Sequence, residues 1–151
     1  MLPQNTLSAP STPSAPSAAG PSWRGVLAAI DIGSNSFRLE IGQISRGRYR
    51  RIDYLKDTVR LGAGLDADGL LSEEAALRGL ACLARFRTRL AGIPARQLRA
   101  VATQTLREAT NRNAFLARAS EALGHPVEVI SGREEARLIY QGVAHMLPVT
   151  T

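Results

Sequence analysis

The sequence has 151 residues, 44% hydrophobic residues and a formal net charge of +6 at pH 7. This length and hydrophobic content suit a single globular domain with a buried core. No apolar run reaches the ~18 residues that a membrane-spanning helix needs, and a single cysteine, Cys82, excludes a fold held by internal disulfides.

The positive charge comes almost entirely from arginine, because Lys56 is the only lysine in the chain. The planar guanidinium group suits phosphate and carboxylate oxygens, so a phosphate-bearing partner is one interpretation. The alternative is a solvated arginine-rich surface. Binding of nucleic acid is not favoured, since the sequence has no zinc-ligand spacing and only 5% aromatic residues.

Residues 1–22 differ in composition from the rest of the chain. They consist almost wholly of Ser, Ala, Pro, Thr and Gly and contain no charged side chain. Such a segment has too little apolar side-chain area to offset the entropy of ordering it, so we expect a disordered tail. The basic and apolar regions of a secretory signal are missing, which predicts a cytoplasmic protein whose folded part is residues 23–151.

Three extended segments open the folded part of the chain. They are "VLAAID", "FRLEIGQI" and "RYRRIDYLKDTVRLG", and their apolar runs and period-two alternation predict a meander of three strands. The third of these segments is predicted to stay extended as far as Gly62.

Helices and strands alternate in the remainder. We expect Ser72 to be the N-cap of a long helix that ends at Gly92 and Pro94, with Cys82 as a core thiol on its apolar side. The pattern continues with a strand, a helical stretch closed by Gly124, a second strand and a final helix; these segments are "LRAVAT", "LREATNRNAFLARASEALG", "PVEVI" and "SGREEARLIYQGVAHML". The order βββαβαβα predicts an α/β fold.

The turn after the first strand concentrates polar residues. Asp31 ends the strand, Gly33 permits a sharp turn, and Ser34, Asn35 and Ser36 add side-chain donors to the backbone amides of a phosphate-binding corner. Asp31 repels an anion, but its carboxylate suits Mg²⁺, which prefers oxygen ligands and bridges to phosphates. The alternative is an ordinary turn in which the polar side chains bond their own backbone.

A glycine-rich stretch follows the third predicted strand. "VRLGAGL" sets Arg60 beside Gly62 and Gly64, and flexible glycines next to an arginine suit a loop that closes over a phosphate chain. A solvent-facing strand arginine is an equally compatible interpretation of Arg60.

The stretch "TQTLRE" predicts the start of a helix. With Thr105 as N-cap, Glu108 completes a capping box and Arg107 falls in the first turn. The helix dipole disfavours a cation there by roughly 0.3–1 kcal/mol, and a bound anion would reverse that sign. The alternatives are a surface Arg107 paired with Glu108, and strand-end and capping roles for Thr103 and Thr105.

The stretch "SGREEARLIYQG" separates two adjacent glutamates. With Ser131 as N-cap, Glu134 is explained as its capping partner. Glu135 begins the apolar stripe of the predicted helix, where partial desolvation raises the pKa of a carboxylate and makes it a better proton acceptor near neutral pH. A salt bridge to a nearby arginine is the alternative for Glu135.

Four motifs in order resemble the exopolyphosphatase/guanosine pentaphosphate phosphatase family: "AAIDIGSNSFRL", "VRLGAGLDADGLLSEEA", "VATQTLREATN" and "VISGREEARLIYQGVAHM". The resemblance covers nearly everything after residue 24. It implies an actin-like, ribonuclease-H-like ATPase fold and metal-assisted removal of terminal phosphate from inorganic polyphosphate or guanosine pentaphosphate. It also implies that Glu135 is the general base, that Arg107 contacts substrate phosphate and that the full-length enzyme can form a homodimer.

The family's second phosphate loop, a strand running into an Asp-x-Gly-Gly-Gly-Ser-type turn, would follow shortly after "GVAHMLP", whereas this sequence ends at "VTT". We therefore expect the N-terminal lobe of a two-lobed catalytic core. Two hypotheses remain: a phosphatase lobe, and a non-catalytic phosphate-binding or assembly module that needs a partner lobe. The sequence does not separate polyphosphate from guanosine pentaphosphate as substrate.

Overall fold

The computed structural model describes residues 25–130, and the elements below belong to that part of the chain. Three strands come first: β1 (Val26–Ile32), β2 (Ser36–Ser45) and β3 (Arg48–Thr58). Helix α1 (Glu73–Arg89) follows, and the remaining elements are β4 (Leu98–Ala102), α2 (Gln104–Glu108), α3 (Arg112–Leu123) and β5 (Glu128–Val129). Short 3₁₀ turns at Gly62–Gly64 and Ala95–Gln97 lie in the loops before α1 and β4.

The five strands form one mixed sheet in the order β3-β2-β1-β4-β5. The first three strands pair antiparallel, whereas β4 pairs parallel with β1 and β5 pairs parallel with β4. The predicted meander and alternating α/β order are therefore confirmed for the described residues, and the final helix predicted from Ser131 lies outside them. Among residues 25–130, no helix is long and apolar enough to cross a membrane.

One face of the sheet carries the core. Alternate residues of β1 and β2 are buried there together with the apolar sides of α1 and α3; the strand residues are Val26, Ala28, Ile30, Ile32, Phe37, Leu39 and Ile41. Gly79 on α1 makes this close packing possible, because a Cβ atom there would lie 3.2 Å from the Phe37 ring and 3.4 Å from the Phe115 ring. Glycine thus brings α1 close to both the sheet and α3.

The predicted helix boundaries are confirmed where capping chemistry is local. The Ser72 Oγ accepts a hydrogen bond from the Ala75 amide at 3.1 Å, so Ser72 is the N-cap of α1. Gly124 ends α3 with a left-handed φ of 79°. The predicted end of α1 at Gly92 and Pro94 is wrong, because α1 ends at Arg89 with Leu90 as C-cap, and Gly92, with a φ of 89°, turns the loop that follows.

Cys82 is fully buried in the core, which confirms the predicted core thiol. Burial raises the pKa of this thiol to about 12, and the charge of the neighbouring Asp57 carboxylate acts in the same direction. Because the thiolate is the reactive form, the Cys82 thiol is unsuited to nucleophilic chemistry near neutral pH.

Two predicted elements have different bounds in the structure. The third strand stops at Thr58 instead of continuing to Gly62. The helical stretch predicted up to Gly124 is two helices, because the chain leaves the helix after Glu108. At this break the Asn111 side-chain amide bonds both the N–H and the C=O of Leu71, at 3.0 and 3.2 Å, and such side-chain bonds to backbone compete with helix continuation.

Candidate phosphate-binding site

Three parallel strands end at the same edge of the sheet. β1 leads there into the turn at Gly33, β4 leads into α2, and β5 ends beside Ile130. The Thr103 amide donates to the Ile32 carbonyl at 3.3 Å, and the Ile130 amide donates to the Ala102 carbonyl at 2.9 Å. These bonds bring the first and third sequence motifs together at this edge. Open α/β sheets bind ligands at the carboxyl ends of their parallel strands, so this edge is a candidate binding site.

The turn between β1 and β2 is closed by a hydrogen bond from the Gly33 amide to the Ser36 carbonyl at 3.0 Å. A Cβ atom at position 33 would lie 2.9 Å from that carbonyl oxygen, so close approach explains the glycine. Asn35 is exposed, Ser34 is half-buried, and Ser36 is buried where β2 begins. The turn therefore offers the side chains of Ser34 and Asn35 to a ligand more openly than that of Ser36.

The second motif is hydrogen-bonded onto this turn through its backbone. The Asn35 carbonyl accepts from the amides of Val59 and Arg60, at 3.0 and 2.9 Å, and the Ser34 carbonyl accepts from the Gly62 amide at 2.8 Å. Arg60 has a left-handed φ of 57° and an exposed side chain. Because β3 ends before it, the interpretation of Arg60 as a strand arginine is wrong; Arg60 lies in a loop, and contact of this loop with a phosphate chain stays a prediction.

Thr105 has a different place from the one predicted. The helix begins at Gln104 with Thr103 as its N-cap residue, so the assignment of Thr105 as N-cap is wrong. Thr105 is 4% exposed, and its Oγ1 donates to the Ser34 Oγ at 2.7 Å. Gly62 completes this junction, since a Cβ atom there would lie 3.2 Å from the Thr105 Oγ1 and 3.3 Å from the Ser34 Cβ. The Thr105 hydroxyl, which was expected to cap the helix, is therefore bonded to a distant residue of the β1–β2 turn instead.

Arg107 lies in the last turn of the five-residue helix α2, so its placement in the first turn is wrong, as is the dipole argument that followed from it. Its half-buried side chain reaches the end of β5, where Nη1 donates to the Ile130 carbonyl at 3.4 Å. Among the described residues, the Arg107 guanidinium makes no hydrogen bond to the Gly33–Ser36 turn. Its contact with substrate phosphate stays a prediction.

Asp31 lies opposite Arg38 on the neighbouring strand, and its side chain is half-buried. Burial raises the pKa of the Asp31 carboxyl, and the positive charge of Arg38 partly opposes this shift. Within the part of the chain that the structure describes, no group of three His, Cys, Asp or Glu residues could hold a metal ion. One carboxylate still fits Mg²⁺, which is commonly held by one or two carboxylates together with water and substrate phosphates.

Three of the predicted site residues lie outside the part of the chain that the structure describes, and one residue that contacts the site loop was not predicted. Ser131, Glu134 and Glu135 lie outside the described residues, so the roles assigned to them stay predictions. Arg78 on α1 was missed; its Nε donates to the Val59 carbonyl at 3.0 Å and its Nη2 to the Arg60 carbonyl at 3.2 Å. No sequence pattern marks a helical arginine as a partner of a distant loop.

The hydroxyl pair of Thr105 and Ser34 can be tested by a double-mutant cycle. The Thr105→Val substitution keeps the side-chain shape and is expected to lower the free energy of unfolding by about 1 kcal/mol, the typical net value of one hydrogen bond. In a Ser34→Ala background the same substitution should cost less, since the bond is already lost. Urea denaturation of the four proteins measures this coupling, and equal costs in both backgrounds would show that the bond contributes nothing.

The chain is similar in sequence and structure to known proteins. The sequence model of the Ppx/GppA phosphatase family matches residues 41–151. A Ppx/GppA family member from Aquifex aeolicus is similar in structure, with 33% identity and a TM-score of 0.70, over 80% of this chain and 39% of that chain. An exopolyphosphatase from Cytophaga hutchinsonii has 33% identity and a TM-score of 0.69, over 80% of this chain and 38% of that chain.

This chain therefore spans about two fifths of the length of these relatives. The sheet order and the structural similarity confirm the predicted α/β fold, an actin-like, ribonuclease-H-like half-domain. The family match includes the second, third and fourth sequence motifs, and the structural match covers most of the described residues. The chain belongs to the Ppx/GppA phosphatase family.

Proposed function

We propose that this chain is the N-terminal lobe of a phosphatase that removes terminal phosphate from inorganic polyphosphate or guanosine pentaphosphate. The observation that carries the proposal is the junction of Ser34, Gly62 and Thr105, where three separate sequence motifs meet at the carboxyl edge of the parallel strands. A substrate placed there would face backbone amides, hydroxyl groups and arginines, which are the groups that bind phosphate oxygens.

The proposed binding groups divide into neutral and charged donors. Gly33 would shape the turn, since its amide already donates to the Ser36 carbonyl, and residues 34–36 would supply backbone amides and the side chains of Ser34, Asn35 and Ser36. Arg60 and Arg107 would neutralise charge along the phosphate chain. Phosphoryl transfer depends mainly on such positioning and charge neutralisation, so a lobe that supplies one side of the site would bind substrate more readily than it turns substrate over.

In the proposed reaction, water attacks the terminal phosphorus and the bond between that phosphorus and the rest of the phosphate chain breaks. Glu135 would take the proton from the attacking water. Asp31 would hold Mg²⁺, whose chemical contribution is to neutralise phosphate charge during the transfer. The side chains of Arg60 and Arg107 would hold the phosphate chain in line with the attack.

The alternative is a phosphate-binding or assembly module without its own catalysis. The amides, hydroxyls and arginines of the described residues suit this alternative as well as a catalytic lobe. Phosphate release by residues 1–151 alone would support a catalytic lobe, whereas release only after addition of a second lobe would support the module. In either case we propose a cytoplasmic protein, with a homodimer as the arrangement of the complete enzyme.

The binding part of this proposal predicts a specific loss at Arg107. Titration of the chain with tripolyphosphate should show weak, salt-sensitive binding, and Arg107→Ala should weaken it on the order of tenfold, as expected for a hydrogen bond to a charged group. Isothermal titration calorimetry at two salt concentrations measures the affinity.

Arg96→Ala is the matched control for this experiment. Arg96 is exposed and Arg107 is half-buried, and Arg96 lies in the 3₁₀ turn before β4, at the opposite edge of the sheet from the proposed site. Both variants lose one positive charge, so general electrostatic attraction would weaken equally in the two. An equal loss at Arg96 and Arg107 would contradict a phosphate site at the carboxyl edge.

A further inference from the structure

Arg78 joins helix α1 to the loop that carries Arg60. Its guanidinium donates from Nε to the Val59 carbonyl at 3.0 Å and from Nη2 to the Arg60 carbonyl at 3.2 Å. We propose that Arg78 is a positioning residue, which holds the loop of residues 59–62 against the phosphate-binding turn and thereby directs the Arg60 side chain. This inference rests on the proposed function, in which Arg60 binds phosphate.

The backbone at Arg60 needs such support. Its φ of 57° lies in the left-handed region, which a non-glycine residue rarely adopts because Cβ approaches the following carbonyl. Its amide donates to the Asn35 carbonyl at 2.9 Å, and its own carbonyl accepts from the Arg78 Nη2 and from the Ala63 amide, both at 3.2 Å. Partners on both sides of the residue thus hold a conformation that the isolated chain would leave.

The buried residues on either side of Arg60 explain why its side chain is exposed. Val59 and Leu61 are buried in the core, at 4% and 0% exposure, whereas Arg60 between them is exposed. Val59 and Leu61 anchor the loop and the left-handed residue turns the chain, so the Arg60 side chain is exposed on a loop whose backbone is bonded to the Asn35 carbonyl. A change in the backbone at Arg60 would redirect this side chain without disturbing the anchors.

The other contact of Arg78 does not account for its position. Glu74 lies one helical turn away with its Oε1 3.9 Å from the Arg78 Nη1, and its side chain is 88% exposed. Exposed ion pairs of this kind contribute little. The bonds to two successive carbonyls use the planar fork of the guanidinium, a geometry that a lysine ammonium cannot reproduce.

The consequence for binding is preorganisation. A phosphate chain that meets an ordered Arg60 does not have to supply the free energy that orders the loop. Arg78 would then strengthen binding through Arg60 and not through its own charge. The effects of substituting Arg60 and Arg78 should therefore overlap instead of adding.

Amide hydrogen exchange tests the positioning claim without any ligand. In the Arg78→Ala and Arg78→Lys variants, the amides of Arg60 and Gly62 should exchange at least about tenfold faster, because their bonds to the turn open more often. The Ile30 amide in the core should keep its rate, which separates local opening from general destabilisation. Unchanged exchange at Arg60 and Gly62, or equal acceleration at Ile30, would overturn the inference.

Titration with tripolyphosphate tests the link to binding. Arg78→Ala should weaken binding as much as Arg60→Ala does, and the double variant should bind no more weakly than Arg60→Ala alone. Arg78→Lys should behave like Arg78→Ala although it keeps the charge. The matched control is Arg87→Ala. Arg87 lies in the last turn of the same helix, and it donates to the Glu121 carbonyl of α3.

The outcomes of this titration separate the two proposals. Additive losses, wild-type affinity in Arg78→Lys, or an equal loss in Arg87→Ala would overturn the positioning role and leave only a charge effect. Failure of the wild-type chain to bind tripolyphosphate would instead contradict the proposed function. In that case the hydrogen-exchange rates alone decide whether Arg78 holds the loop.

Discussion

The Glu135→Gln substitution is expected to lower turnover by about 10²–10⁴-fold, the loss that typically follows removal of a general base. The reaction would be measured in a protein that carries this lobe together with the second phosphate loop. Glutamine keeps the size and much of the hydrogen bonding of glutamate but cannot accept the proton from water. We therefore expect kcat to fall while KM for polyphosphate changes little, as followed by release of inorganic phosphate.

The neighbouring glutamate provides the control for this substitution. If Glu134 is the capping partner of Ser131, Glu134→Gln should retain most of the activity, because glutamine also fills that capping position. The two substitutions are at adjacent positions and each removes one negative charge, so a difference in kcat between the variants cannot come from net charge. Loss of turnover in Glu134→Gln with normal turnover in Glu135→Gln would show that the predicted helix register is wrong.

The Phe37→Ala substitution is expected to lower the free energy of unfolding by about 3–5 kcal/mol, the usual cost of removing a buried phenylalanine ring. Phe37 directly follows the turn of residues 33–36; it is fully buried, and its ring packs against Gly79 of α1. Because domains of this size are stable by only about 5–15 kcal/mol, the variant would lose a large part of its stability. Urea denaturation followed by circular dichroism measures the difference.

Ile52→Ala is the control for the loss of a large apolar side chain from the same sheet. Ile52 lies in β3 and is 51% exposed, so truncation leaves no cavity in the core. We expect a change of about 0.5 kcal/mol or less. Similar losses in Ile52→Ala and Phe37→Ala would show that the packing of Phe37 under α1 does not determine the stability of the fold.

The features that sequence reasoning predicted correctly depend on neighbours in the chain. The apolar run of β1 and the period-two alternation of β2 identify strands, and Ser72 and Gly124 mark helix ends through local capping chemistry. The burial of Cys82 follows from its place in the helical pattern of α1. Each of these signals lies within a few residues of the feature that it predicts.

The features that sequence reasoning missed depend on partners far away in the chain. Thr105 bonds a hydroxyl 71 residues earlier, so a local capping rule assigned it the wrong role. Arg60 leaves the strand because its amide and carbonyl bond to Asn35 and Arg78, which lie on other elements. Periodicity continues through such positions, and only the tertiary structure shows where the chain turns.

Backbone hydrogen bonds join the loop of residues 59–62 to the turn of residues 33–36, and they determine which side chains can be replaced without separating the two. The bonds from Val59, Arg60 and Gly62 to the Asn35 and Ser34 carbonyls are made by main-chain atoms alone. Exchange of the side chain at position 34, 35 or 60 leaves those donors and acceptors in place, and among common replacements only proline at a donor position removes one. The side chains proposed to contact a substrate can therefore be exchanged without removing these backbone bonds, although exchange of Ser34 also removes the acceptor of the Thr105 hydroxyl.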